Sequence, residues 1–338
     1  MKEDDFLRLI NEILPESRSY LGDDAAYIPD RDLILTQDTL VEDIHFKKSY
    51  VDPYNLGVKS MAVNLSDIAA CGGIPLYALV SLSLPEETKE DFVRKFYEGM
   101  RSLCTKYNVL IVGGDITGST KIVASITIIG SGMGIAHATR NNAKVGDFVV
   151  VTGEYGSSIA GMWLLKARTK GTNATQSISQ ELQDKLVKAH INPIPFVKEG
   201  RTIVENAKTP PALMDASDGL ANALYKIAFE SKVSMKVDYN KVPIEKNLYF
   251  IADIAGIELY KWVLYGGEDY GLVGTLSKDS LEEVLRHNVP LTVIGKVIKS
   301  EGEPVVRIKF EDSVQDITAE TLGKESFNHF NTSRKSGK

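Results

Sequence analysis

Six short aspartate-rich segments set the strongest constraint on how this chain can fold. They are Gly22-Asp23-Asp24-Ala25-Ala26, Thr36-Gln37-Asp38-Thr39, Asn64-Leu65-Ser66-Asp67, Gly113-Gly114-Asp115, Asp215-Ala216-Ser217-Asp218-Gly219 and Gly266-Gly267-Glu268-Asp269. They are divided between the two halves of the chain, and nearly all sit beside glycine, serine or threonine. Aspartate is common in turns and helix caps on its own account, so any one segment can be ordinary. Together they point to one cleft. Converging carboxylates repel one another and resist joint ionisation unless cations lie between them. Hard oxygen ligands of this kind suit Mg²⁺, which is commonly held by a few carboxylates plus substrate phosphates. Glycine beside them lets backbone N–H groups approach phosphate oxygens. The six segments therefore favour a metal–nucleotide site.

The 338 residues predict two domains, because one core rarely grows beyond roughly 250–300 residues. Strand and helix signals alternate in both halves, which reads as an α/β fold. Residues 6–14 have helical spacing, and residues 33–36 read as a strand ending at a turn at Asp38. Residues 53–70 form an amphipathic helix pattern closed by Gly72-Gly73 and Pro75. A strand over 78–84 and a long helix over 86–107 follow. Residues 109–112 read as a brief buried strand delivering Gly113-Gly114-Asp115, and 122–130 as a β-branched strand. A polar connection over 139–147 predicts the boundary, giving an N-terminal domain of 1–138 and a C-terminal domain of 139–330. The second half opens with a strand over 148–152 and a helix over 157–166. Residues 169–179 read as a mobile polar loop, and 331–338 as a disordered tail.

Several function classes are disfavoured. Net charge is -6 with no long basic run, so nothing calls for nucleic acid or an anionic membrane. Cys71 and Cys104, the only cysteines, read as buried thiols of a reducing compartment. The acidic start lacks a secretory pattern, and no run of about 18 apolar residues predicts a membrane span. A cytoplasmic protein is expected. The run from Gly113 to Ser119 approaches a phosphate-binding P-loop but lacks the lysine, and Gly130-Ser131-Gly132-Met133-Gly134 misplaces the third glycine of a dinucleotide fingerprint. His45, His137, His190, His287 and His329 are too scattered for zinc, and protein-kinase and Gly-x-Ser-x-Gly signatures are absent.

The segments also carry a family resemblance. Gly22-Asp23-Asp24-Ala25-Ala26 and the run from Thr36 through Leu40-Val41-Glu42-Asp43-Ile44 to His45-Phe46 resemble the opening of the thiamine-monophosphate kinases. That family belongs to the aminoimidazole-ribonucleotide-synthetase superfamily. The likeness continues through the helix from Lys59 to Ala70, Gly113-Gly114-Asp115, the run from Asp215 to Leu220 and Gly266-Gly267-Glu268-Asp269-Tyr270, spanning about residues 1–330 in the family's order. Gln37 replaces a usual Thr or Ser, Asp43 a usual small residue, and Phe327 a Tyr or Trp that often contacts substrate.

The resemblance implies ATP-dependent phosphorylation of thiamine monophosphate to thiamine diphosphate, assisted by several Mg²⁺ ions. It implies metal ligation by Asp24, Asp38, Asp67, Asp115, Asp215 and Asp218, with Asp23 less firmly matched and Thr36 and Gln37 adding oxygens. Asp24, Asp115 and Asp218 would carry the catalytic role. Gly114, Asp115, Arg140 and Ser217 match nucleotide-contacting positions, and His45, Glu268 and Phe327 match positions that bind the thiamine half. It implies a two-domain α/β (α+β) fold and a homodimer paired through the N-terminal sheets. Two competing readings stay open. A selenophosphate-synthetase-like sibling would want a reactive residue near the N-terminus, whereas the first cysteine is Cys71. A non-catalytic binding protein predicts lost carboxylates, and every expected segment is intact.

Overall fold

The computed structural model describes residues 22–325 apart from 136 and 172, together with residues 6, 9, 10, 12–14, 17 and 20. Phe327 and the expected tail at 331–338 lie outside the described residues, as does part of the expected leading helix.

Two mixed sheets organise the chain. The first contains β1 (Ala26–Ile28), β2 (Leu33–Val41), β3 (Ile74–Leu84), β4 (Leu110–Gly118) and β5 (Val123–Ser131), in the order β1-β2-β5-β3-β4. All its pairs are antiparallel except β3 with β4. Helix α1 (Pro53–Ala70) lies on its inner face and α2 (Glu90–Tyr107) packs on α1. The second sheet contains β6 (Phe148–Val151), β7 (Ala212–Asp215), β8 (Ser234–Asp238), β9 (Leu272–Leu276), β10 (Thr292–Ile298), β11 (Val306–Lys309) and β12 (Val314–Ile317). Its order is β12-β11-β8-β10-β6-β9-β7. Around it run α3 (Ser157–Thr169), α4 (Gln180–Ile191), α5 (Val197–Asn206), α6 (Leu220–Glu230), α7 (Leu248–Ala255), α8 (Leu259–Tyr265), α9 (Lys278–Arg286) and α10 (Ala319–Glu325). Predominantly antiparallel pairing makes the fold α+β within the broad α/β class.

Helix α1 is the spine that positions the site. Asp52 caps it by accepting from the Asn55 N–H at 2.9 Å, and Pro53 takes the first position, where no intrahelical donor is needed. A helix buried on one side shows an apolar stripe, and one buried all round shows none. In α1 every residue from Leu56 to Ala70 except Asp67 is buried, because its faces meet the first sheet, α2, and elements of the second half. Met61, Leu65 and Ile68 belong to the same core cluster as Ile34, Val80 and Ile126 of the first sheet. On another side Gly200 of α5 sits so close that a Cβ there would lie 2.1 Å from the Ala69 carbonyl oxygen. Two polar contacts complete the junction: Asn192 Nδ2 donates to Asn55 Oδ1 at 2.8 Å, and Ser66 Oγ to Asp215 Oδ2 at 2.6 Å.

Two strand expectations are corrected. β2 does not stop at a turn at Asp38 but runs on to Val41. Ile34, Thr36, Asp38 and Leu40 alternate on one face, so polar residues that resemble a turn are an inward row of a continuous strand. β4 is neither brief nor buried: it extends from Leu110 to Gly118 and is exposed throughout. Gly113-Gly114 is strand rather than turn. A Cβ on Gly114 would lie 1.8 Å from the Val80 carbonyl oxygen, so glycine permits the close pairing of β3 and β4. β4 is an edge strand, and the sheet face it borders is uncovered, with Tyr77 at 43%, Leu110 at 62% and Ile116 at 64% exposure.

Over 169–179, α3 continues to Thr169 and a short 3-10 turn spans Asn173–Thr175. Gln183 holds the segment by donating to the carbonyls of Thr175 and Ile178, and Ile178 is buried.

Candidate functional site

Three carboxylates from three elements meet where the two sheets approach each other. Asp24 comes from the turn before β1, Asp67 from the end of α1, and Asp215 from the end of β7. One ligand oxygen from each lies within 4.8 Å of the others. Neighbouring hydroxyls orient them. Thr36 Oγ1 donates to Asp67 Oδ2 across the first half. Ser66 Oγ donates to Asp215 Oδ2, while the Ser217 hydroxyl and N–H donate to its Oδ1 at 2.8 and 3.2 Å. The Asp38 N–H donates to Asn64 Oδ1 at 2.8 Å, and the Asp38 charge is felt at Asp67.

The electrostatics are those of a site built for cations. Burial, followed by the charges of Asp38, Asp215 and Asp24, pushes the Asp67 carboxyl well above its ordinary range. Burial and Asp24 push Asp215 up to about 7, against the hydrogen bonds from Ser66 and Ser217. Asp24 is also raised by burial despite Arg140, whose Nη2 is 2.9 Å from Asp24 Oδ1. The same guanidinium donates through Nη1 to the Gly22 carbonyl at 2.6 Å, and the Arg140 N–H donates to Asp23 Oδ1 at 2.8 Å. Hard, mutually destabilised oxygens of this kind fit a hard divalent cation, which relieves the repulsion that burial intensifies.

Asp218 stands at the start of α6, 43% exposed, with Lys226 Nζ 3.6 Å from its Oδ2. The Lys226 charge also reaches Asp24, which puts Asp218 at the border of the cluster. Two expected ligands are not brought in. The Gln37 side chain points to the opposite face of β2, where its Oε1 accepts from Thr127 Oγ1 at 2.8 Å. Asp115 pairs in register with Ser81 on the uncovered outer face, and its Oδ1 accepts from the Ile116 N–H at 2.9 Å. Gly114 lies beside it on the edge strand.

A second group forms around Glu268. The Glu268 N–H donates to the Ser217 carbonyl at 2.6 Å, tying the Gly266–Asp269 turn to the Asp215–Gly219 turn. Its carboxylate lies 3.1 Å from Lys59 Nζ and 3.3 Å from His190 Nδ1. Burial opposes its ionisation, but nearby positive charge, Lys59 first, outweighs burial and holds it below the ordinary range. His45, in the turn after β2, accepts the Val41 N–H on Nδ1 at 3.0 Å. Tyr50 adjoins the group: burial, then the Glu268 charge, raises its hydroxyl to about 12. Asp269 turns away and accepts the N–H groups of Gly156 and Ser158 at the start of α3, at 2.8 and 3.0 Å. Burial still lifts it to about 7. Sequence reasoning missed Lys59, His190 and Lys226. For Lys59 a signal existed, a lone cation in the apolar run of α1; for the others only the fold supplies the neighbours.

Two family models match the chain: AIR synthase related protein, N-terminal domain, over residues 22–136, and AIR synthase related protein, C-terminal domain, over residues 144–307. The chain is 37% identical to the thiamine-monophosphate kinase of Bacillus subtilis (strain 168), covering 95% of this chain and 98% of that protein. The crystal structure of thiamine monophosphate kinase from Aquifex aeolicus superposes with a TM-score of 0.78 at 31% identity, covering 91% of this chain and 98% of that one. A structure described as AaThiL complexed with AMPPCP and TMP gives a TM-score of 0.79 at 32% identity, covering 94% and 97%. With such likeness across both halves, and with its acidic segments gathered where those halves meet, the chain belongs to the thiamine-monophosphate kinase family.

Proposed function

We propose that the protein transfers the γ-phosphoryl group of ATP to the phosphate of thiamine monophosphate, giving thiamine diphosphate and ADP. The observation that carries this reading is the meeting of Asp24, Asp67 and Asp215 within 4.8 Å, in a chain 37% identical to a thiamine-monophosphate kinase. The relative complexed with AMPPCP and TMP supports the choice of both substrates.

In this reaction an oxygen of the acceptor phosphate bonds to the γ-phosphorus in line with the departing ADP oxygen, which keeps the electron pair of the broken bond. The acceptor, a phosphate monoester with a second pKa of about 6, is mostly a dianion at neutral pH. No side chain has to remove a proton. The obstacle is the approach of two anions, so positioning and charge neutralisation carry the catalysis. Asp24, Asp38, Asp67, Asp215 and Asp218, with Thr36 as a neutral oxygen, would hold several Mg²⁺ ions; bound there, Mg²⁺ neutralises phosphate charge. Arg140 fixes the Gly22–Asp24 turn and presents a cation to the nucleotide, for which Ser217 and Gly114 supply further contacts. His45 and Glu268, with Phe327, take the thiamine half.

The same reading assigns residues 1–138 to an ATP- and Mg-binding, dimer-forming domain and 139–330 to a synthetase-like domain. Family matches that end at 136 and resume at 144 support this division. We keep the cytoplasm as its compartment on the sequence grounds above; among the described residues no helix is long and apolar enough to cross a membrane. A homodimer accounts for the uncovered outer face of the first sheet. Asp115 and Gly114 stand on its edge strand, so their roles depend on the second copy. Ile116→Lys, at a residue 64% exposed in the single chain, is expected to shift sedimentation from about twice 37.2 kDa to the single-chain mass and to lower turnover with it. A dimeric, fully active variant would remove this face as the interface.

The direct test incubates purified protein with ATP, Mg²⁺ and thiamine monophosphate and follows products by chromatography. Thiamine diphosphate and ADP should form in equal amounts, and EDTA should stop both. Mg-dependent ATP binding without thiamine diphosphate would move the protein to a sibling activity or a binding role.

A further inference from the structure

Lys59, His190 and Glu268 make a buried group beside the carboxylate cluster and separate from it. The Lys59 and His190 side chains are each 1% exposed, against 28% for Glu268. The two partners are therefore buried against a carboxylate that stays partly exposed, within electrostatic reach of His45 and Tyr50. Lys59 engages Oε1 at 3.1 Å and His190 Nδ1 engages Oε2 at 3.3 Å, so one anchor holds each oxygen and the carboxylate plane is fixed. Lys59 belongs to the first half of the chain, His190 and Glu268 to the second, and the trio thus registers one half against the other.

His190 is a neutral donor here. Burial, then the Lys59 charge, pushes its imidazole down to about 3. With Glu268 Oε2 3.3 Å from Nδ1, we assign the proton to Nδ1. Ser158 Oγ, 3.1 Å from the same nitrogen, is the second neighbour of that edge. Nε2 is buried without a hydrogen-bond partner among the described residues. An unpaired buried acceptor is unfavourable, and packing alone would be better met by an apolar side chain. The backbone makes the same point. Gly267, Glu268 and Tyr270 have φ of 70°, 58° and 54°, a region that glycine adopts freely and glutamate and tyrosine do not. The turn is held in a disfavoured shape that delivers Glu268 to these two partners.

We propose that Lys59 and His190 are positioning residues that hold the Glu268 carboxylate in a single orientation toward the cationic organic half of the phosphate-bearing acceptor. This rests on the acceptor assignment proposed above. Because Lys59 offsets the charge of Glu268, selection among acceptors is geometric: a cation or N–H donor placed against the fixed carboxylate is favoured, and a phosphate monoester whose organic half offers neither is not.

The test is steady-state kinetics with thiamine monophosphate and ATP varied in turn, beside thermal melts. Lys59→Met and His190→Leu are each expected to raise KM for thiamine monophosphate by about tenfold to a hundredfold, the range for losing a charge-assisted hydrogen bond. KM for ATP should stay unchanged, and kcat should fall by no more than about threefold. His190→Asn, which keeps an N–H donor near Nδ1, should recover most of the loss. In a Glu268→Gln background, His190→Leu should add little. Equal effects on both substrates, or an Asn variant no better than Leu, would assign His190 to packing and overturn the proposal. Should both apolar variants lose their cooperative melt, the tautomer of His190 in the wild-type enzyme decides by nitrogen NMR: Nδ1–H supports the proposal and Nε2–H overturns it. A wild-type enzyme that neither binds nor turns over thiamine monophosphate would overturn the acceptor assignment, and this inference with it.

Discussion

Asp67→Asn is expected to cut phosphoryl transfer by about a thousandfold or more, the scale of several kcal/mol of lost charge stabilisation, while the metal-free protein melts at a higher temperature than wild type. Both effects follow from the same geometry. Asp67 is one of three carboxylates whose oxygens lie within 4.8 Å, and burial with the charges of Asp38, Asp215 and Asp24 already disfavours its ionisation. An amide of the same shape removes one negative charge from that crowd. Its oxygen still accepts from Thr36 Oγ1, the hydrogen bond that orients Asp67 now, and its NH₂ gives neighbouring carboxylates a donor in place of a repelling charge. Without metal the fold gains; with Mg²⁺ and ATP the site has lost a ligand. Turnover within about tenfold of wild type would mean that Asp67 holds no catalytic ion. A lower metal-free melting temperature would mean that repulsion does not dominate the cluster.

Much of this site was legible in the sequence because its residues lie in short segments of unusual composition. Asp67 and Asp215 each have a serine within two positions, and those serines, Ser66 and Ser217, both donate to Asp215; Asp24 stands in the short acidic turn that opens at Gly22. Helix α1 was legible for a different reason: its start at Pro53 and its stop at Gly72-Gly73 are local signals, independent of packing. What was not legible depends on facing and pairing. Gln37 and Asp38 are adjacent in sequence, yet strand alternation sends Asp38 inward and Gln37 to the opposite face. Nothing local distinguishes an inward polar row from a turn. The β4 run Leu110-Ile111-Val112 reads as buried because apolar runs usually are; an edge strand on an uncovered sheet breaks that rule. His190 and Lys59 lie 131 positions apart in the sequence, and only the packing of α4 against α1 brings both to Glu268.

Metal-free protein should lose stability as pH rises from about 5.5 to 7, and Mg²⁺ should reverse that slope. Asp215 and Asp269 are each raised to about 7 from an ordinary 3.8. Between those values the folded state holds protons that the unfolded chain has released, so unfolding releases protons and stability falls with rising pH. The loss accumulates from 3.8 up to about 7 and is complete above it. Each group contributes at most about 1.4 kcal/mol per pH unit, and the raised Asp24 and Asp67 act in the same direction. Carboxyls held low, such as Asp43 by Lys121 and Asp316 by Arg307, act oppositely, and their window lies below the ordinary carboxylate range. Above pH 5 the buried acids are opposed by His190 and His137, which burial lowers from 6.5 and which add stability up to that pH, so the net loss is steepest between about 6.5 and 7. Saturating Mg²⁺ favours the ionised forms of Asp24, Asp67 and Asp215, which makes the holo protein more stable at pH 7.5 than at 5.5. Asp269 spends its oxygens on the N-terminus of α3, so its share of the downward slope should persist with metal present and vanish in Asp269→Asn. Chemical denaturation at several pH values, with EDTA and with Mg²⁺, separates these contributions. A Mg²⁺-independent slope would leave the cluster a set of buried acids and take the metal site elsewhere.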